Sequence, residues 1–276
     1  MTIDLALGAS LTWGFADFFG PLFGRTLGVL RALVYVQLGG LVGIALIVGA
    51  RGQGPSDAVS LVAIPAAISG TLGLFAFYRG IAVGAVSIVA PIAGISAVVP
   101  VIVGIASGES PSAWQLSGIA CALVGVFCAA REPRSGSELR VAAGAGLAVL
   151  AAIGFGGYFP FMHAAGNADY WWASLFFRIA STSMVLLPVA VLRPKLGVSR
   201  RVLPWLALIG LGDMVGNLLY AAASTGGLVS VTSVLASLYP IVTVVLARLV
   251  LAERVARSQE AGIALTVAGV ALISAG

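Results

Sequence analysis

The stretch GTLGLFAFYRGIAVGAVS, residues Gly70 to Ser87, decides the fold because the chain carries it twice. Its echo is GDMVGNLLYAAASTGGLVS, Gly212 to Ser230. At a shift of 142 residues (212 minus 70), Gly70 falls on Gly212, Tyr78 on Tyr220 and Gly84 on Gly226. One inserted residue later Ser87 falls on Ser230; one more, and Glu109 falls on Glu253, Gly118 on Gly262 and Gly125 on Gly269. Upstream, Trp13-Gly14 meets Phe155-Gly156 at the first shift. Ordered matches with a slowly drifting offset mark an internal duplication, here with a unit of half the chain.

Composition says where the two halves fold. Of 276 residues, 60% are hydrophobic and only 9% are charged, and the mean hydropathy is +1.08. A water-soluble domain carries roughly 25% charged residues to wet its surface, so most of this chain must face lipid. The net charge of +5 does not point to nucleic acid. The basic residues stand between apolar runs, where membrane-orientation signals belong, and form no stripe with interleaved aromatics. Cys121 and Cys128 lie in one apolar run, about 10 Å apart along a helix, too far for a disulfide within it. The first residues carry no basic leader or cleavage site, so the first run is expected to be a retained span.

A helix needs about 20 mostly apolar residues to cross a bilayer. Ten such runs can be laid down: 3–22, 31–50, 58–79, 86–106, 112–130, 142–163, 170–192, 202–221, 228–249 and 258–275. The expected fold is an all-α integral membrane protein of ten transmembrane helices in two inverted five-helix repeats. Residues 1–130 form the first repeat, 131–140 a polar linker and 141–276 the second. Five spans per half make the second half enter the membrane from the opposite side, and such inverted repeats exchange conformations around a central site. Lys and Arg concentrate at the joins after odd-numbered spans, from Arg25 to Arg257, while the even joins carry only Arg51. The positive-inside rule therefore puts the odd joins in the cytoplasm and both termini outside.

Glycines, 36 in all, read mainly as helix-packing residues. Pro91 with Gly94 in span 4, and Pro240 beside Tyr239 in span 9, sit in repeat-equivalent spans. Helices interrupted at corresponding places in two halves point to a central site.

Ionisable residues inside apolar runs are the strongest chemical signal, since each costs roughly 2.5–3.5 kcal/mol at a helix centre. Asp17, Arg178 and Asp213 qualify. Trp13 and Asp17 share a helical face, and Asp213, Asn217 and Tyr220 form a stripe at i, i+4, i+7. Trp13, Asp17, Tyr78, Phe155, Asp213, Asn217, Tyr220 and Tyr239 are the candidate cavity residues. Asp17 and Asp213 are the candidates for coupling to protons. The competing reading is a structural ion pair such as Asp17 with Arg178. Ser230, Ser233 and Ser237 share a face of span 9, where serines commonly bond the preceding turn. Glu109 and Glu253 each precede a span and read as charge complements to the N-termini of spans 5 and 10. Arg79 reads as snorkelling to the headgroups, and Trp171 and Trp172 as interfacial belt residues. The single histidine, His163, makes a metal site improbable, and the run from His163 to Asp169 is expected as a loop. No HExxH, GxSxG or phosphate-binding loop is present, so neither an enzyme nor a cofactor is expected, and ATP cannot drive the chain directly.

These features resemble the EamA-like branch of the drug/metabolite transporter superfamily. The resemblance rests on Trp13-Gly14, on Glu109-Ser-Pro-Ser with Gly118, and above all on LYPIVTVVLARLVLAERVARSQEAGIALTVAGVALI, residues 238–273. The first half departs from the family pattern in placing no basic residue after Glu109, and Ala252 stands where glycine is common. The resemblance implies a multi-pass inner-membrane protein with a basket of helices around a central cavity lined by spans 1, 3, 4, 6, 8 and 9. It also implies cytoplasmic termini, opposite to the Lys/Arg reading. The expected function is secondary active export of small metabolites such as amino acids by alternating access, with protons as candidate coupling ion. Facilitated uptake of sugars or other neutral solutes and multidrug efflux are the alternatives, and a membrane-embedded enzyme or lipid-handling subunit is the rival class. The partners expected are a small-molecule solute and the lipid bilayer, with no nucleic acid. Ten spans can enclose a cavity, so a monomer suffices.

Overall fold

The computed structural model describes residues 1–83, 86–129, 138–251 and 257–275, and among them every regular element is a helix. The helices are α1 (Thr2–Leu27), α2 (Val29–Arg51), α3 (Ala63–Val83), α4 (Val86–Gly94), α5 (Val98–Ala106), α6 (Ala113–Ala129), α7 (Glu138–Leu192), α8 (Leu203–Ser224), α9 (Val229–Ala236), α10 (Tyr239–Leu251) and α11 (Arg257–Ala275). Five of the described helical stretches are long and apolar enough to cross a membrane: Val29–Arg51, Ala58–Val83, Gly146–Leu192, Leu203–Ser224 and Val229–Val250. Leu46, Leu187, Leu192 and Leu249 are among the large apolar side chains left on the surface, as a lipid-facing exterior requires.

Helix α7 holds two expected spans end to end. Its backbone breaks at Asp169 (φ −163°, ψ 101°), whose Oδ1 accepts the N–H groups of Trp171 at 3.0 Å and Trp172 at 3.2 Å. Asp169 thus caps the second arm of α7, satisfying donors that a helix start leaves orphaned. The run from His163 to Ala168, expected as a loop, is helix: only the residue that supplies the cap leaves the helical backbone. Of the expected linker, residues 138–140 open α7 and 131–137 lie outside the described residues.

The two interrupted spans break at matching places. Between α4 and α5 the chain tightens into a 3-10 turn at Ile95–Ala97, and between α9 and α10 it turns at Ser237 and Leu238. Pro240 falls in the first turn of α10, where a missing N–H costs nothing.

The packing repeats itself across the two halves. A Cβ on Gly14 of α1 would collide with Val242 and the carbonyl of Tyr239; one on Gly156 of α7 would collide with Val99 and the carbonyl of Ser96. Gly14 and Gly156 are repeat counterparts, and so, one inserted residue later, are Val99 with Val242 and Ser96 with Tyr239. Each half therefore lays a glycine of its first helix against the broken helix of the other half. Helix α6 packs on its counterpart α11 through one close contact, with Gly118 against the carbonyl of Gly269 and Gly269 against that of Gly118.

The joins gather in two sets. Thr2 donates to the carbonyl of Gly226, linking the N-terminus to the join after α8, while Ser56 donates to that of Ala168 and Trp172 Nε1 to that of Gln53, linking the join after α2 to the break in α7. Arg25 Nε donates to the carbonyl of Ile81, and the Tyr35 hydroxyl to that of Leu196, linking the joins after α1, α3 and the second arm of α7.

Glu109 belongs to the first set and does not serve the helix that follows it. Its carboxylate accepts the N–H groups of Val229 and Ser230, at the start of α9 in the opposite half. The reason is local. Helix α6 already has a reciprocal cap, in which Ser112 Oγ accepts from the N–H of Gln115 and Gln115 Oε1 from the N–H of Ser112. Helix α9 starts at Leu228, which has no side-chain acceptor to offer. Glu253, the counterpart of Glu109, lies outside the described residues, as does Gly84.

Gly14→Leu and Gly156→Leu should each lower stability by about 1–3 kcal/mol, the usual range for overpacking. Thermal unfolding in detergent checks this. The two losses should be similar, because the contacts are equivalent; a large loss at one position alone would refute the packing symmetry.

Candidate functional site

Three helices meet at a buried polar cluster. Gly40 of α2 faces the carbonyl of Gly210 in α8, and the absence of a Cβ there lets the two backbones approach closely. The guanidinium of Arg178, from the second arm of α7, lies against Gly40 and is only 1% exposed. Its Nη2 sits 2.6 Å from Asp213 Oδ2, and its Nη1 donates to Gln37 Oε1. Asn217 Nδ2 donates at 2.8 Å to the carbonyl of Asp213, one turn back, and lies 3.4 Å from Asp213 Oδ2. A charge in this environment is tolerable only when paired and hydrogen-bonded.

The ion pair expected between Asp17 and Arg178 is therefore not made. The close approach of α2 to α8 encloses the guanidinium between Gln37 and Asp213. Asp17, on α1, has neither a hydrogen bond nor an ion pair with any described residue, although it is only 7% exposed.

Beside this cluster lies a cavity with about 530 Å³ free of protein atoms, counting what is open to solvent. Its polar lining is Asp17, Gln37, Thr71, Asp213 and Asn217. Its aromatic lining is Trp13, Phe155, Tyr158, Phe159, Phe177 and Tyr239, with Gly70 and Leu74 completing the wall. At the repeat shift of 142, Trp13 pairs with Phe155, Asp17 with Phe159 and Thr71 with Asp213. A cavity lined by both members of three repeat pairs lies across the axis that relates the halves.

The candidates from sequence divide cleanly. Trp13, Asp17, Phe155, Asp213, Asn217 and Tyr239 line the cavity. Tyr78 and Tyr220 stand behind its wall. Tyr220 is fully buried; its hydroxyl donates to the carbonyl of Phe159 at 3.2 Å and shares a 2.9 Å hydrogen bond with Ser233. Its ring lies 6.1 Å from that of Trp13 and 4.9 Å from that of Phe159. Tyr78 is 2% exposed, and its hydroxyl fills the space that a Cβ on Gly20 would need. Both rings are buried inside the protein, so neither tyrosine presents its ring on the outer surface. Arg79, by contrast, is exposed.

Sequence reasoning missed Gln37, Thr71, Tyr158, Phe159 and Phe177 as lining residues. A glutamine in the middle of the apolar run of span 2 was a usable signal; the aromatic residues carried none that separates cavity wall from core. Among the described residues no three His, Cys, Asp or Glu side chains are grouped as a metal site would need.

The EamA-like transporter family matches this chain twice, over residues 1–131 and 142–275. The chain belongs to the EamA-like transporter family. Its two matches coincide with the duplication, so each half is one family unit, and the chain is a multi-pass membrane transporter of the drug/metabolite type. No curated protein matches the chain. A solved structure titled "Crystal structure of protein" superposes with a TM-score of 0.76 over 99% of this chain and 98% of its own, at 18% identity. That likeness shows that the chain shares its fold with this structure over nearly its full length.

Replacing Arg178 by Leu should cost at most about 3–5 kcal/mol, the range for a buried pair, because it leaves the partly buried Asp213 charge unpaired. The double variant Arg178→Leu, Asp213→Leu should recover most of that loss. Unfolding temperatures of the two variants against the unaltered protein check the pairing.

Proposed function

We propose that this EamA-like protein is a secondary active exporter of small metabolites, coupled to protons through Asp17. Ten spans would form two inverted repeats, 1–130 and 141–276, and alternating access would proceed by rocking of the halves about the cavity. The chain would sit in the inner membrane with the arginine-rich odd-numbered joins in the cytoplasm. The observation that carries this reading is the position of Asp17. It is a nearly buried carboxylate without a partner among the described residues, on the wall of a cavity that lies across the axis relating the repeats.

The alternating-access argument is energetic. Because Gly14 on α10 and Gly156 on α5 make equivalent contacts, exchanging the conformations of the halves replaces one set of contacts with a similar one. The two states can then lie close in energy, and a solute or proton bound near the axis can bias them by its differential affinity. Asp213 is a weaker candidate for coupling, since Arg178 already neutralises it at 2.6 Å. Asp17 can exchange a proton without breaking any described hydrogen bond. Facilitated uptake of a neutral solute is the second reading; it has no use for an unpaired carboxylate on the cavity wall.

In proteoliposomes with an imposed pH gradient, the unaltered protein should accumulate its solute against a concentration gradient. Asp17→Asn should abolish that accumulation while sparing solute exchange at equal pH. Accumulation that persists unchanged in Asp17→Asn would remove Asp17 from the coupling step. Solute movement indifferent to the pH gradient in the unaltered protein would favour facilitated uptake.

A further inference from the structure

We propose that the cavity takes a solute with a cationic amine head and a flat apolar body, and discriminates against the same body bearing a free carboxylate. This rests on the transporter reading above and narrows its substrate class away from amino acids.

The argument starts from the charges on the wall. No Lys, Arg or His is among the lining residues, and the formal charges there are those of Asp17 and Asp213. Arg178 is not on the wall. It commits Nη2 to Asp213 and Nη1 to Gln37, and it is 1% exposed. The Asp213 charge is thus balanced from behind, and the carboxyl of Asp17 is left without a hydrogen-bond or ion-pair partner among the described residues, so that an ammonium group is what would hold it ionised. A solute carboxylate would enter a low-dielectric space beside two carboxyl groups, with no Lys, Arg or His on the wall to receive it. An ammonium group would supply the missing counter-charge.

The neutral groups fit the same ligand. Thr71 and Tyr158 are lining residues, 1% and 4% exposed, and their hydroxyls are buried without a hydrogen-bond partner among the described residues. Buried polar atoms left without partners are uncommon and point to something that satisfies them. A primary ammonium carries three donors. Asp17 supplies an acceptor on the wall, and hydroxyl oxygens such as those of Thr71 and Tyr158 are acceptors of the kind the remaining donors need. Phe159, the repeat counterpart of Asp17, puts an aromatic ring at the equivalent place across the axis. A cavity lined by a carboxyl and by aromatic rings suits a cation, which is attracted both to the carboxylate and to the negative faces of rings. Trp13 and Phe155, also repeat counterparts, are placed to flank a flat body.

The test compares four probes with one ring system: tryptamine (ammonium), tryptophan (ammonium and carboxylate), indole-3-acetate (carboxylate) and tryptophol (neutral). Calorimetric titration into the purified full chain in detergent should give tryptamine an affinity at least about tenfold above tryptophan and indole-3-acetate, a difference of about 1.4 kcal/mol. Tryptamine should also raise the unfolding temperature by mass action. Asp17→Asn should weaken tryptamine by about tenfold and leave tryptophol unchanged. In the unaltered protein, acidification should weaken tryptamine, whose amine stays charged throughout; this keeps the proposal falsifiable if Asp17→Asn does not fold. Tryptophan binding as tightly as tryptamine, tryptamine affinity indifferent to both Asp17→Asn and pH, or no binding by any probe would each overturn the proposal. Tight tryptophan binding with pH-driven uptake into proteoliposomes would sink only the substrate class. Probe binding without movement under any gradient would sink the transport reading itself.

Discussion

The structure depends on one contact made twice: a glycine on the first helix of each half against the backbone of the broken helix in the other. Gly14 meets Tyr239 and Val242, and Gly156 meets Ser96 and Val99. In lipid no hydrophobic force drives helices together, so association rests on close van der Waals approach and on the few polar bonds available. These contacts bind each half to the other before it binds itself. The cavity is what remains between the halves, and it is lined by residues from both because the contacts that frame it are reciprocal.

On this symmetric frame the polar groups are asymmetric. Asp17 corresponds to Phe159 in the other half, Asp213 to Thr71, and Arg178 to Val36. Duplication supplied two equal walls, and divergence gave each a different chemistry. The Arg178–Asp213 pair with Gln37 stitches α2, the second arm of α7 and α8 together, and its charges cancel. Asp17 is left without a hydrogen-bond or ion-pair partner among the described residues. Glu109 adds a different kind of link: it caps α9 from the other half, so the start of a broken helix depends on a residue 120 positions away.

Much of the site was legible in the sequence because charge is rare there. In a chain with 9% charged residues, a carboxylate inside an apolar run stands out, and Asp17 and Asp213 were found that way. The aromatic residues could not be separated by the same means. Trp13 and Phe155 were visible through the repeat, but Tyr158, Phe159 and Phe177 look the same in sequence whether they wall a cavity or fill a core. Tyr78 and Tyr220 show the converse. Their repetition at matching depth was real, yet both serve the packing behind the wall.

The sequence by itself determined the duplication, the membrane setting and the places where helices break, since these are written in local composition and in spacing that any packing must respect. The tertiary structure decided the pairings. Arg178 chose Asp213 over Asp17 because two glycines let α2 and α8 close around it, and Glu109 capped α9 because α6 had already capped itself. Both choices depend on which backbones come within hydrogen-bonding reach, and that distance is set by helices far apart in the chain.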